Sequence, residues 1–541
     1  MPTSFVFNGK IVKIPGAYST IKSGMKNPPI ALPYGNVLII DTGSGAGWGG
    51  GAGVAGQFSS GKDSIYEFDN IGDYRDFQKG GIHWLLGQPL FRPGGVGYNG
   101  VSKISFIKAA TTTGAVIQYD FDDTDASVSG QPSGSSLTIA VTDEGLIGNG
   151  TLVSGNLTKG FAGKMSAGVI DPTKFILTFY RGTYKGLDQN SLPFDGISEA
   201  NSIATVVAKS PEVSNIQELI DWMRIDYLFN KSFKLVNSTI IGTGNLAPED
   251  LNYYKNYNLA SGGTETYGDP ALLASVLEAV IDSDINFILS DQYGANATST
   301  NNMSILDHIV NESKFKPELY IGGGNDINDF RSVSIAAAQA FNNDSVSLVH
   351  GGIFKQSQQG LRTYNVLYHT AAMMAREAGL EPQTPIAFKN LDFDGMTHTL
   401  TDKEAELALD SGVLITRLDG STYDIIKGIN TLQDNDYLIN DNSTTSSKQI
   451  KRIARQLNKE IIVNAKQQLL KQPNGVNRGS LNEQDVENWL VGYLKTKKPS
   501  LILDFSEIVV TRQQDGFFIS YKFAANSEIS FLFFTGFLIG L

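Results

Sequence analysis

Tyr364-Asn-Val-Leu-Tyr-His-Thr-Ala-Ala-Met-Met-Ala-Arg-Glu-Ala378 opens the stretch, residues 364–418, whose reading decides the fold. Val366, Leu367, Thr370, Met373 and Met374 recur at the three- and four-residue spacing of one helical face. Gly379 stands where a C′ glycine ends a helix. Ala371, Ala372 and Ala375 let that helix lie close against a sheet. Pro382 and Pro385 then predict an extended segment through Leu391. Thr401 and Glu404 form a capping box for a second helix over 403–410, because each side chain satisfies a free N–H at the helix start. Ser411-Gly-Val-Leu-Ile-Thr-Arg-Leu418 returns as a strand. Helix, extended arm, short helix and strand in this order describe one unit of an α/β layer.

Upstream, strands predicted at 233–241, 285–289, 318–321 and 346–350 alternate with helices at 270–281, 303–312 and 331–341. This spacing predicts a mostly parallel α/β core. Nearer the N-terminus, 36–41 is a buried-type strand, 43–56 a glycine-rich loop, 64–80 helical turns and 101–109 another strand. Residues 114–235 change texture to short β runs at 115–119, 136–142, 174–180 and 202–208, with a helix over 215–228 leading out. A β-rich block flanked by α/β sequence is most simply an inserted domain. Phe5-Val-Phe-Asn-Gly-Lys-Ile-Val12 reads as two short strands about an Asn-Gly turn. The expected division is an N-terminal arm (1–22), core (23–113), inserted β-rich domain (114–235), core again (236–440), a helical and β inner domain (441–527) and a C-terminal arm (528–541).

Composition narrows function. The chain has 541 residues, 41% hydrophobic and 18% charged, enough for a large core and several domains. A net charge of −12 argues against a general nucleic-acid-binding surface. No cysteine is present, which excludes disulfides, thiolate nucleophiles and cysteine metal sites. The N-terminus lacks the basic and apolar regions of a signal peptide, and no apolar run is long enough to cross a bilayer as a helix.

Several motifs invite chemistry. Gly56-Gln-Phe-Ser-Ser-Gly-Lys62-Asp63 matches seven positions of a phosphate-binding loop, but Asp63 replaces the hydroxyl that ligates Mg²⁺ and no buried strand precedes it. His83, His308, His350, His369 and His398 are scattered without metal spacing, His369 reading as a packed or interface histidine. No Gly-x-Ser-x-Gly elbow appears. Asp434, Asp436, Asn440 and Asp441 have the composition of a calcium loop but lack its glycine and closing glutamate. No catalytic residue, cofactor or metal is therefore assigned.

Two stretches point to assembly instead. A helix over 447–471 carries Lys448, Lys451, Arg452, Arg455 and Lys459 as one stripe, opposite Ile450, Ile453, Leu457, Ile461 and Ile462. The stripe is either an ordinary solvated face or a docking surface for an acidic partner. Helix 482–495 and three β runs at 500–511, 516–523 and 528–541 follow. The final thirteen residues, Ile529 to Leu541, are almost wholly apolar. As a helix they span about 20 Å, short of a ~30 Å hydrocarbon core. As a strand they need a sheet to accept them, and that sheet can belong to another copy.

The order of these elements resembles the contractile tail sheath proteins of bacteriophages and related injection machines. Ile14-Pro-Gly-Ala-Tyr18 resembles the PGVY after the sheath N-terminal arm, and Gly145-Leu-Ile-Gly-Asn149 the GxxGN that opens a β region. Leu259-Ala-Ser-Gly-Gly263 with 269–284 resembles the glycine pair and helix of the sheath core, and 369–418 its "AG-x-x-A…P…G" passage and Gly-Val strand. Lys451-Arg452 stands where family members often carry paired arginines, while 43–56 and much of 151–210 match no family pattern.

The resemblance implies a subtilisin-like α/β core without protease activity and a subunit that polymerises around an inner tube. It implies arms that add strands to a neighbour's sheet, here through Phe5, Phe7, Ile11, Ile14, Ile529, Phe531, Phe533 and Phe537. It implies a tube-facing surface, here Lys448, Lys451, Arg452, Arg455, Lys459, Lys495, Lys497 and Lys498. The implied partners are other copies, a tail tube, a baseplate and a tail terminator, with no direct nucleic-acid contact. The implied place is the virion tail, assembled in the host cytoplasm, and the implied role is genome delivery through the host envelope. The rivals are another self-assembling virion protein, such as a tube or capsid subunit, and an α/β hydrolase or nucleotide-binding enzyme.

Overall fold

In the computed structural model, the described residues are 5–7, 10–12, 35–43, 65–78, 81–95, 99–121, 135–144, 148–182, 204–239, 256–357, 360–433, 446–466, 469, 481–513 and 516–525. The phosphate-loop look-alike at 56–63, the acidic stretch at 434–441, Ile14 to Tyr18 and the whole of 528–541 lie outside them.

The core is a seven-stranded sheet in the order Val413–Leu414, Val346–Val349, Glu318–Gly322, Phe287–Ser290, Asn36–Asp41, Lys103–Lys108, Tyr66–Phe68. All neighbours run parallel except the last edge strand. Most side chains of its central strands are apolar on both faces, as a sheet covered on both sides requires. Leu38, Ile40, Ile288, Leu319, Ile321 and Leu348 face the helices Pro270–Ala279, Thr300–Asn311, Ala336–Phe341 and Asp402–Asp410. Val37, Ile39, Phe106, Leu289 and Tyr320 face Gly81–Phe91 and Val366–Ala378. Each such side chain contributes roughly 1.5–3 kcal/mol by leaving water.

The stretch 364–418 is the unit that covers and closes this sheet. The helix Val366–Ala378 is buried at every position, not on one face only. It ends at Gly379 with φ −77°, an ordinary right-handed value. The glycine is needed for space: a Cβ there would sit 2.0 Å from the Asn99 carbonyl oxygen. Residues 382–389 form turns rather than the predicted extended segment. The Thr401–Glu404 capping box is present on Asp402–Asp410, and Val413–Leu414 joins the sheet edge.

The β-rich unit is two four-stranded antiparallel layers around their own core. One is Thr205–Lys209, Phe175–Arg181, Phe161–Ala167, Tyr257–Leu259; the other is Phe233–Thr239, Ser135–Glu144, Ala110–Phe121, Thr264–Tyr267. The helices Ile216–Ile225 and Tyr227–Ser232 pack into the same core. The strand at 233–239, expected in the parallel layer, instead pairs antiparallel with Ser135–Glu144. Its alternation decides this, since Phe233 and Leu235 turn into the β core while Val236 stays exposed. Of the stretch 64–80, expected as helix or helical turns, Ile71–Gln78 is a helix, while Tyr66–Phe68 is instead an edge strand.

The histidines are not all scattered. His350, His369 and His398 gather beyond the end of strand Val346–Val349. His350 Nε2 lies 2.9 Å from His398 Nδ1, and Ser334 Oγ 2.8 Å from His350 Nδ1. His369 Nδ1 is 2.8 Å from the Gly351 carbonyl oxygen. Burial, then the neighbouring imidazoles, lower His350 to about 3, and burial lowers His369 to about 4. Both are therefore neutral in the fold, while the unfolded chain protonates them below about 6.5. Stability from these two groups is whole above that pH and is lost as pH falls toward 4. Two extra protons on the unfolded chain make the slope about 2.7 kcal/mol per pH unit. Thermal unfolding between pH 7 and pH 5 should show a falling Tm, with the pH dependence weakened in His369→Gln.

Candidate functional site

Ser447 caps the helix Lys448–Ala465 by accepting from the Ile450 amide. Its basic side chains read from the sequence as an exposed stripe, either solvated or facing an acidic partner. The structure overturns that placement. Lys448, Lys451, Arg452, Arg455 and Lys459 are all buried, and every residue of the helix except Val463 is buried with them. A helix with this many charges can be enclosed only if the enclosing walls supply anions.

They do, from four separate places in the core. Lys448 Nζ pairs with Glu318 at the start of its strand, lies 3.0 Å from Glu377 Oε2, and donates to Ser347 Oγ at 2.5 Å. Arg455 donates to the other Glu318 oxygen at 2.6 Å. Lys451 pairs with Asp344 and Lys459 with Asp284, both in loops entering parallel strands. Arg452 Nε is 3.3 Å from Glu377 Oε1. Its guanidinium also donates to the carbonyls of Glu377, Leu380, Glu381 and Thr384 at 2.9–3.1 Å. Arg452 thus caps the C-terminal end of Val366–Ala378, where unpaired carbonyls concentrate negative charge. Tyr320 donates its hydroxyl to Glu377, and Lys448 lies 4.4 Å from the Tyr320 ring centre.

Electrostatics here are tightly balanced. Burial pushes the Glu377 carboxyl up and Arg452 pulls it back. Burial pushes Lys448 well down, and the neighbouring Arg455 and Arg452 push the same way. Removing one partner from such a set strands a buried charge. The sequence signal for this network lay in its anions. Glu318 and Glu377 sit in stretches otherwise read as buried, and buried carboxylates need cations.

The opposite side of the same helix builds the C-terminal unit. Ile453, Leu457 and Ile461 pack with Leu490 and Leu494 of the helix Glu483–Thr496, and with Leu501, Ile502 and Phe523. Lys497, another expected tube contact, is fully buried, 3.4 Å from Glu460 Oε2, which also accepts from Tyr493 Oη at 3.0 Å. Only Lys495 and Lys498 of the eight basic candidates are exposed, and Lys498 pairs with Asp504. Beyond them, Ile502–Gln513 and Gly516–Ala525 form an antiparallel hairpin. Among the described residues these two strands pair only with each other.

Of the arm candidates, Phe5, Phe7 and Ile11 lie in a small hairpin, Phe5–Phe7 with Lys10–Val12, in the register Phe5↔Val12 and Val6↔Ile11. The two short strands expected there are present, while Asn8 and Gly9 lie outside the described residues. Ile14, Ile529, Phe531, Phe533 and Phe537 lie outside the described residues.

Two substitutions separate the buried and exposed cations. Arg452→Ala should destabilise the chain by about 3–5 kcal/mol, because it removes the cation beside buried Glu377 Oε1 and a charged donor to four carbonyls. Lys495→Ala should stay within about 0.5 kcal/mol. Urea unfolding of both variants checks the contrast.

No family model and no curated protein matches the sequence. Solved structures do. The chain is similar to the sheath tail protein of Desulfitobacterium hafniense, with a TM-score of 0.53 and 14% identity over 92% of this chain and 93% of that one. The sheath tail protein of Listeria innocua gives the same values: 0.53, 14%, 92% and 93%. Similarity over nearly the full length of both chains establishes a shared architecture, and this protein has the fold of sheath tail proteins.

Proposed function

We propose that this chain is the structural subunit of a contractile tail sheath, which polymerises around an inner tube and contracts to drive that tube through a host envelope. The observation that carries the reading is the C-terminal hairpin. Two-stranded sheets are marginal in water, and three or more strands are usual for independent stability. Here the hairpin is clamped to the core by a buried helix while both its outer edges are open among the described residues. Such an edge accepts an extended strand of another chain. The apolar sequence from Ile529 to Leu541 begins only four residues after the hairpin ends and has the composition of a strand to be accepted. Each backbone hydrogen bond contributes about 0.5–1.5 kcal/mol, so a register of several joins subunits firmly with little demand on side chains.

In this reading the core moves as a rigid body and the arms flex as hinges, which keeps the mesh continuous during contraction. The N-terminal segment with Phe5, Phe7, Ile11 and Ile14 supplies a second arm. The partners are other copies of the chain, a tail tube, a baseplate and a terminator. Lys495 and Lys498 are the tube-facing candidates that the fold leaves exposed. The assembled protein resides in a phage tail or a related injection machine after assembly in the host cytoplasm. No helix among the described residues is long and apolar enough to cross a membrane.

Negative-stain microscopy of the purified chain beside a version ending at Ser527 tests the reading. Hollow cylinders from the full chain and monomers from the truncated one are expected. Monomers from both would overturn strand exchange by the C-terminal arm.

A further inference from the structure

Asp41, His83 and Asp291 meet beyond the C-terminal ends of the central parallel strands. Asp41 closes the strand Asn36–Asp41, Asp291 follows Phe287–Ser290 next to it, and His83 comes from the first turn of Gly81–Phe91. From Asn36–Asp41 the chain passes to Lys103–Lys108 on one side and later to Phe287–Ser290 on the other. That reversal of direction is where open α/β sheets leave a crevice for ligands. All three residues are buried, and one ligand atom of each lies within 4.8 Å of the other two. Among the described residues this is the one group of three His, Asp or Glu so placed.

We propose that this cluster binds one divalent transition cation of mixed nitrogen and oxygen preference, Zn²⁺ or Mn²⁺, as a structural site. The spacing fits a shared ion. His83 Nε2 is 3.5 Å from Asp41 Oδ1. A charge-assisted N–H···O bond closes to about 2.7–2.9 Å. Two ligands on a tetrahedral ion with bonds of about 2.0–2.2 Å stand about 3.4 Å apart.

The other contacts hold the carboxylates in place. Tyr267 Oη donates to Asp41 Oδ2 at 3.0 Å, and Lys108 Nζ is 3.7 Å from the same oxygen. Asp41 thus carries its basic neighbour on Oδ2 and His83 on Oδ1. The Gly43 amide donates to Oδ1 at 3.0 Å. Asp291 accepts from the Thr42 amide at 2.8 Å and the Thr42 hydroxyl at 2.6 Å, and Gln292 Nε2 donates to that hydroxyl at 2.6 Å. Tyr267 closes the crevice over Gly43, where φ is +76° and a Cβ would meet the ring at 2.3 Å. The donor set of one imidazole and two carboxylates suits Zn²⁺ or Mn²⁺ better than Mg²⁺ or Ca²⁺, which prefer oxygen alone. Because the site is closed to solvent, the ion is taken up as the chain folds and ties the central strands to Gly81–Phe91.

The test is elemental analysis and metal-edge X-ray absorption on the full-length chain, expressed with Zn²⁺ and Mn²⁺ supplements and desalted. The expected result is about one ion per chain, with a single imidazole and carboxylate oxygens at about 2.0–2.2 Å. Occupancy should fall at least about tenfold in His83→Gln and in Asp291→Asn. Should either variant fail to fold, the wild-type spectrum still decides. Absence of bound metal in the wild type overturns the proposal. So does a shell of two or more imidazoles, which would place the ion at His350 and His398, or unchanged occupancy in folded variants. All readouts are independent of assembly.

Discussion

Everything downstream of residue 446 depends on one enclosed ionic contact, the set Lys448, Arg452 and Arg455 with Glu318 and Glu377. Two carboxylates alone do not neutralise three cations. The remaining negative character comes from the carbonyls at the end of Val366–Ala378, which Arg452 caps. Guanidinium groups suit this task, because their planar forks reach several acceptors at once and stay charged when buried. Apolar packing alone would let a helix slide or rotate. Directional bonds to a strand start, a helix end and two loops allow one seating. The helix is thereby a shared wall, charged toward the α/β core and apolar toward the C-terminal hairpin.

That wall explains how one chain can combine a rigid body with an incomplete sheet. The hairpin Ile502–Ala525 is small and would not hold its position unaided. Fixed by Ile453, Leu457 and Ile461, it presents its edges in a constant orientation relative to the core. A subunit whose joints are strand edges can rotate as a block while its connections bend. The β-rich unit has its own core, built from Phe161, Phe175, Phe179, Phe229 and Phe233 among others, and it joins the α/β layer through the segment that ends in the Asp269 cap.

Much of the α/β core was legible because buried parallel strands are short apolar runs bounded by caps and turns. Thr401 with Glu404 located a helix start, and Gly412-Val413 located the return strand. Other elements were illegible for physical reasons. The helix Gly81–Phe91 is apolar all round and contains Pro89, so it shows no periodicity. The helix through Phe330–Ile335 is wound as a π-helix, which no local spacing announces. The strand Phe233–Thr239 has a partner nearly a hundred residues upstream, which local pattern cannot choose. The basic stripe misled for a related reason. Spacing put the cations on one face, but what faces them, Glu318, Asp344, Asp284 and Glu377, is brought there only by the tertiary fold. The arms were read from composition, and those beyond residue 525 lie outside the described residues.

The 448–465 helix is an internal brace, buried along its charged side as well as its apolar one. Hydrogen exchange on the free subunit and on assembled particles tests it most directly. Amides of Lys448–Ala465 should exchange as slowly as those of Glu318–Gly322 in the free subunit, with assembly changing them little. A helix that exchanges freely in the free subunit and is protected only on assembly would contradict it.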